Sequence, residues 1–327
     1  MFRKKVVPEA KNVQMVVVDP GKHTTKAMTL KSDICHFRTK MHDNTQEVDA
    51  RGNTYDVVYD GKQYLIGEQA EEQSYDVTKT NLLHKLVTYT AITRLADNNS
   101  IIRLIINCPV SIYKNKQQRD EYKDYIYNSG QFEITVDGDN FFYEIENVLV
   151  LPEDYGAVHM YPYLFTGKRV ALIGLGGLNM NFMIINDLVP EIHSMFTINH
   201  GGNELESNIV NELNSRYALN IDPKDAPYIL KNKGIKVRGN IDKDSTRIVD
   251  DVIKGFVENI VQEIKRNGHN LDMLDVVFVG GTSEAIQGYI ERVIDHVAVA
   301  KEAQWAAVEG SLKIGVEVWK RKDEAER

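Results

Sequence analysis

Met15-Val16-Val17-Val18-Asp19-Pro20-Gly21-Lys22-His23-Thr24-Thr25-Lys26 is the stretch whose reading decides the fold. Its first four residues are apolar and mostly β-branched, as in a short buried strand. Asp19-Pro20-Gly21 is a turn signal, and Thr24 to Leu30 reads as a returning strand. The unit is therefore a hairpin around a glycine turn. The same pattern recurs about half a chain later. Val170-Ala171-Leu172-Ile173 is a buried strand, Gly174-Leu175-Gly176-Gly177 is its turn, and Met180 to Ile185 reads as the return strand. Gly174 takes the place of Asp19, and Gly176 that of Gly21. A period this long implies a duplicated βββαβα-like core. A solenoid would repeat every ~20–50 residues.

The intervening sequence fills in each half. Residues from about 33 to 79 read as a smaller insertion, with a hairpin around Asp60-Gly61 between Tyr55–Tyr59 and Gln63–Ile66. Leu82, Leu83, Leu86, Val87 and Ala91 fall at helical spacing, Ile101–Ile106 is a buried strand, and a polar helix follows over Lys116–Tyr127. Ile134–Val136 and Phe141–Tyr143 form another hairpin, and Val148–Leu151 leads into Pro152-Glu153. In the second half, Leu205, Ile209 and Leu213 line a helix after Gly201-Gly202. Ile248, Val252, Phe256, Ile260 and Ile264 line a second, with Gly268 as its stop. Val276–Val279 is the last core strand, and the charged tail from Glu317 frays or caps a final helix.

Composition narrows the function. The chain has 327 residues, 43% of them hydrophobic, enough for one large or two medium domains with a real core. With 39 basic and 47 acidic residues the net charge is -8. That argues against coating DNA by bulk charge, and no direct DNA contact is expected. Cys35 and Cys108 sit in no metal-binding or redox spacing, so both are expected to be reduced thiols in a cytoplasmic protein. No apolar run approaches the ~20 residues of a membrane span.

Four motifs carry chemistry. In the first hairpin, Gly21 lets backbone N–H groups approach a phosphate, Lys26 and Lys22 supply cations, and Asp19 holds hydrated Mg2+. An ordinary Asp-Pro-Gly turn with solvated lysines is the plainer reading. In the second, Asn179 stands where a dinucleotide fingerprint would place its third glycine, and a strand follows instead of a helix. A phosphate-facing hairpin fits better than a dinucleotide site. Gly280-Gly281-Thr282 ends a strand before a helix, where a ligand can lie on the backbone and the Thr282 hydroxyl can cap the helix. Glu153 closes a strand and opens a helix, suited either to positioning an attacking water or to satisfying the helix start with Asp154. There is no P-loop and no serine-hydrolase elbow. His193 and His200 are expected to be structural.

In this order the motifs resemble those of the actin, Hsp70 and sugar-kinase superfamily, and most closely the bacterial actin-like proteins of the ParM plasmid-segregation family. The resemblance runs from about Val13 to Val316 and includes an Ala-x-x-x-Gly element at Ala306 to Gly310. It implies an α/β actin-like (ribonuclease H-like) fold, two similar domains flanking a nucleotide cleft. The expected division is an arm over 1–12, domain I over 13–169 with a subdomain at about 33–79, domain II over 170–305, and a segment 306–327 returning to domain I. The resemblance places Asp19, Gly21, Lys22 and Lys26 on the first phosphate loop, and Gly174, Gly176, Gly177 and Asn179 on the second. Gly201, Gly202, Lys231, Gly280, Gly281 and Thr282 fall around the nucleoside, and Glu153 at the catalytic water. Asp19 is the metal-side residue, acting through water. Lys231 and its neighbour Lys233 lie where the base is often flanked, though no motif fixes them. ATP or GTP and Mg2+ are the implied cofactors. Hydrolysis is expected to be coupled to head-to-tail filaments that move plasmids through a DNA-binding adaptor on a centromere-like site, with no membrane contact. A small-molecule kinase of the same superfamily, or a cytoskeletal actin homologue outside segregation, is the alternative. One departure stands out: the second loop of the superfamily begins with Asp, and here that position is Gly174. Asn179 or Asn181 is then a candidate for replacement contacts.

Overall fold

The computed structural model describes residues 12–44, 49–72, 79–218, 220–300 and 303–325. The arm expected over 1–12 therefore lies outside them except for Asn12. The described chain divides into two compact units. One contains the residues up to Cys108, Lys116–Leu151 and those from Gly315 onward. The other contains Pro109–Asn115 and Pro152–Ile314. Apart from the excursion at 109–115, the chain changes unit at 151/152 and returns at 314/315, where the expected boundaries are 169/170 and 305/306.

The first unit is built on a nine-stranded sheet. Its strands are β1 (Val13–Pro20), β2 (Thr24–Thr29), β3 (Ile34–Arg38), β4 (Met41–Asp43), β5 (Thr54–Tyr59), β6 (Lys62–Gly67), β7 (Ile101–Cys108), β8 (Gln131–Val136) and β9 (Asp139–Pro152). They lie in the order β3-β2-β1-β7-β9-β8-β5-β6-β4. The stretch 33–79 thus adds its strands to the common sheet, with β5 joined through β8. The two short strands expected at 141–143 and 148–151 are one continuous β9, since nothing between them breaks the ladder. Helix α1 (Leu82–Leu95) packs on β1 and β2. It is buried from Leu83 to Thr93 on nearly every side, beyond the single apolar face that its helical spacing marks. The Asn81 side chain caps its start by accepting from the His84 N–H at 3.1 Å. Two further helices are α2 (Val110–Lys114), in the second unit, and α3 (Lys116–Tyr127), in the first. Arg103 on β7 donates to Asp323 through both terminal nitrogens at 2.8 Å and to Glu146, fastening the end of the chain to this sheet.

Besides α2, the second unit contains α4 (Gly156–Met160). Its sheet is β10 (Arg169–Leu175), β11 (Met180–Asn186), β12 (Val189–Ile198), β15 (Asp275–Val279) and β16 (Val297–Val299), in the order β12-β11-β10-β15-β16. Between β12 and β15 come α5 (Gly202–Tyr217), α6 (Ala226–Asn232), the small hairpin β13 (Lys236–Val237) with β14 (Asn240–Ile241), and α7 (Lys243–Arg266). After β15 come α8 (Gly281–Ala285), α9 (Gln287–Val293) and, following β16, α10 (Ala303–Ala325). Apolar residues cover both faces of the sheet. Ala171, Ile173, Leu175 and Phe182 pack with α5, α7 and α9, while Leu172, Met183 and Val277 pack with Ala157, Val158 and Phe165. The buried face of α7 carries Val249, Ile253, Phe256, Val257, Ile260 and Ile264. Ile248 and Val252, expected in that row, sit at its edge. Gly268 ends the helix in the left-handed region, as expected, at φ 86°.

The duplication is real at the level of register. In each unit a hairpin lies beside a parallel strand: β1–β2 beside β7, and β10–β11 beside β15. Asp19 faces Lys26 in one, and Gly174 faces Asn181 in the other.

The Ala-x-x-x-Gly element has a steric explanation. A Cβ on Gly310 would lie 1.7 Å from the Gly156 carbonyl oxygen, and one on Gly156 would lie 2.0 Å from that of Ala307. Backbone meets backbone where α4 and α10 cross, so neither position has room for a side chain. Gly310→Ala is expected to cost at least ~1–3 kcal/mol. Gly255→Ala, inside α7 with open space around it, is expected to stabilise by ~0.5–1 kcal/mol. Urea unfolding of the two variants checks both signs.

Candidate functional site

The first hairpin is held from beside it. Gly21 N–H donates to the Asp19 carbonyl at 2.9 Å, closing the turn. A Cβ at residue 21 would approach the Thr24 carbonyl oxygen to 2.7 Å, so glycine is required there. The Thr39 hydroxyl donates to the Gly21 carbonyl at 2.5 Å and lies 2.9 Å from that of Thr25. Thr39 sits just past β3 and gave no signal in the sequence, because its role appears only once β3 pairs with β2. Lys22 is buried, and Lys26 and Asp19 are half-buried. Burial, followed by the charges of Arg38, Lys40 and Lys26, pulls His23 down to about 4, so its ring is neutral at pH 7. Its Nδ1 lies 2.8 Å from the Thr24 hydroxyl. The three cations that add to this shift are what favours an anion beside the hairpin. Arg38 and Lys40 are contributors that the linear sequence hides.

The second hairpin is braced more heavily. Gly176 N–H donates to the Asn179 carbonyl at 3.0 Å. The Gly176 carbonyl accepts from Gly202 N–H at 2.9 Å and from the Thr282 hydroxyl at 3.0 Å, and the Gly177 carbonyl accepts from Asn203 N–H at 2.7 Å. Three glycine motifs distant in sequence thus meet at one turn. Side chains would prevent it: a Cβ on Gly201 would lie 2.5 Å from the Gly177 carbonyl oxygen, and one on Gly280 2.4 Å from that of Leu175. Gly280 also holds φ at 100°, a region that favours glycine. The start of α5 lies at this turn, where its dipole favours negative charge. The Thr282 hydroxyl does not cap α8, contrary to expectation. It is used instead to tie Gly176 to the start of that helix. Gly281 opens α8 beside it. Lys231 is exposed near the end of α6, and among the described residues the structure does not join it to this network. Lys233 lies over the Tyr289 ring at 5.2 Å. His200, read as structural, pairs with Glu204 in the first turn of α5.

Glu153 and Asp154 lie in the turn before α4, in the same unit as this second hairpin. The Asn181 amide donates to Glu153 Oε2 at 3.0 Å and to Asp154 Oδ2 at 2.8 Å. Its oxygen accepts from the Thr197 hydroxyl at 2.9 Å, which fixes which end of the amide faces the carboxylates. Of the two candidates for replacement contacts, Asn181 makes side-chain bonds to the carboxylates. Asn179 contributes its backbone carbonyl to the turn.

Magnesium keeps several waters and takes only one or two carboxylates beside phosphates. Asp19 in the first unit, and separately the Glu153–Asp154 pair in the second, are carboxylates of the kind that chemistry uses. No group of three or more ligating side chains converges among the described residues. No described helix is long and apolar enough to cross a membrane, and both cysteines are buried free thiols.

The N-terminal domain model of actin-like proteins matches residues 18–156. No curated protein matches the chain. Among solved structures, an Alp12 filament is 31% identical over 94% of this chain and 99% of its own, with a TM-score of 0.71. The archaeal actin homologue Ta0583 in complex with ADP is 16% identical over 93% and 99%, with a TM-score of 0.74. A 15-stranded ParM filament from Clostridium botulinum is 15% identical over 94% and 99%, with a TM-score of 0.72. The last two likenesses establish the fold alone.

His23 provides a pH test of the first hairpin. Its folded value lies below its unfolded value of 6.5, so between pH 6.5 and about 4 the unfolded chain binds more protons. Stability is therefore lost as pH falls through that window. In His23→Gln this contribution disappears, and the melting temperature of the variant relative to the parent is expected to rise from pH 7 to pH 4.5.

Proposed function

This chain belongs to the actin-like proteins, and we propose that it is a nucleotide-driven filament protein that binds a nucleoside triphosphate through both glycine hairpins. The observation that carries this reading is the repetition of one device. Each unit presents a glycine turn in the same register, braced by a threonine hydroxyl on the turn carbonyl. Two such turns suit a chain of phosphates better than a single-phosphate substrate. In this reading the two units are the two domains, and ATP or GTP with Mg2+ is the ligand.

Each residue set has a part to play. In the first unit, Lys22, Lys26, Arg38 and Lys40 are suited to offset phosphate charge. In the second, the start of α5 and the braced turn at Gly176-Gly177 are suited to receive phosphate. Gly201-Gly202 and Gly280-Gly281-Thr282 leave the backbone bare for the nucleoside, while Lys231 stays outside the reading. A bound magnesium ion would offset charge on the phosphates as the terminal one departs. Glu153 accepts a hydrogen bond from the attacking water and orients it. Asn181 holds the Glu153 carboxylate for that purpose, so that it does not have to be ordered at the moment of reaction.

Polymerisation follows the family. A head-to-tail contact does not close on itself and yields filaments, and loss of the terminal phosphate would release the tie between the hairpins. Segregation of plasmid DNA through an adaptor agrees with a net charge of -8, because the adaptor would carry the DNA contact.

The test is pelleting and negative-stain microscopy with ATP, with GTP and without nucleotide. Filaments are expected only with triphosphate and Mg2+. Glu153→Gln is expected to lower phosphate release by ~10²-fold or more while filaments still form and persist longer. Filaments indifferent to nucleotide, or a soluble monomer that phosphorylates a small molecule, would contradict the proposal.

A further inference from the structure

Gly174 occupies the strand position that carries Asp19 in the first hairpin, and the space its missing side chain would take is filled from elsewhere. A Cβ built on Gly174 would lie 1.9 Å from Oδ2, 2.1 Å from Cγ and 2.6 Å from Oδ1 of Asp154. The whole carboxylate group of Asp154 therefore sits where a residue-174 side chain would begin. Glycine here serves space and not backbone freedom, because it lies within the regular ladder of β10, paired with Asn181.

Three observations show that Asp154 is held in this place. Its backbone is in the left-handed region at φ 68°, uncommon for a residue with a side chain. Its Oδ2 accepts from the Asn181 amide at 2.8 Å, and that amide is itself held by Thr197 and buried. Its carboxylate lies against Gly174, and the N-cap residue of α4 is Tyr155. The Asn181 amide also binds Glu153, so two carboxylates share one neutral donor.

We propose that Asp154 is the positioning carboxylate of the second hairpin, reaching from the turn after β9 into the place left empty at Gly174 to face the hydrated divalent cation of the bound nucleotide. This rests on the reading under Proposed function. It assigns different tasks to adjacent acids: Glu153 to the attacking water, Asp154 to the water shell of the cation. It also makes residues 154 and 174 a matched pair, in which a carboxylate is tolerated at one position or the other but not at both.

The test measures binding of a fluorescent, non-hydrolysable triphosphate with Mg2+ and with EDTA. The parent is expected to bind more tightly with Mg2+. Asp154→Asn, which keeps the shape, is expected to lose about tenfold or more of that Mg2+-dependent gain with its EDTA affinity unchanged. The double variant Asp154→Ala/Gly174→Asp is expected to recover most of the gain, and Gly174→Asp alone to melt at lower temperature than the parent. A full Mg2+ gain in Asp154→Asn, or equal losses with and without Mg2+, overturns the proposal while leaving nucleotide binding intact. So does a folded double variant without recovery. A parent that binds no triphosphate under either condition overturns the proposed function, and this inference with it.

Discussion

A glycine turn can present backbone to a phosphate only if something else holds it in shape, since glycine itself contributes the most conformational freedom to lose. Both hairpins meet that constraint in the same way, through bonds to the carbonyl of the turn glycine. At Gly21 the Thr39 hydroxyl makes one such bond. At Gly176 there are two, from the Gly202 N–H and the Thr282 hydroxyl. The surrounding chain is arranged to deliver these donors: β3 must pair with β2 to bring Thr39 close, and α5 and α8 must both begin at the end of β10. The absent side chains at 201 and 280 belong to the same requirement, because backbone oxygens occupy the space they would need.

The two halves have diverged around this shared device. The first hairpin keeps a carboxylate opposite a lysine in the ladder, Asp19 with Lys26. Burial, with the charges of Arg38, Lys40 and Lys26 beside it, keeps His23 neutral there. The second has glycine opposite asparagine, and takes its carboxylates from the turn before α4. That turn is in turn fixed by the crossing of Gly156 with Gly310, where no side chain fits. The C-terminal Ala-x-x-x-Gly element therefore acts on the acids of the second hairpin through backbone packing, a short distance along the chain from Glu153.

Much of this was legible in the sequence because local patterns determine it. The β-branched runs at 15–18 and 170–173, the glycine turns after them and the helical spacing at 205–213 all report nearest-neighbour physics. What escaped was whatever depends on partners far along the chain. The continuity of β9 was hidden because its middle residues alternate without a strong apolar signal. The burial of α1 on nearly every side was hidden because its helical spacing marks a single apolar face. Thr39, Arg38 and Lys40 became visible only through strand pairing. Thr282 was read as a helix cap, since its sequence neighbours say nothing of Gly176. At residue 174 the loss of an aspartate could be read directly, but not its replacement. Asp154 looks like an ordinary helix-start acid until its carboxylate is seen in the space of the missing side chain.

The account depends most on both hairpins holding the same triphosphate. The direct measurement is an experimental structure with Mg2+ and a non-hydrolysable ATP or GTP analogue. It should show phosphate oxygens against the turns at Gly21 and at Gly176-Gly177, with the Asp154 carboxylate facing a water on the cation. Phosphates bound at one hairpin only, or elsewhere on the chain, would contradict it.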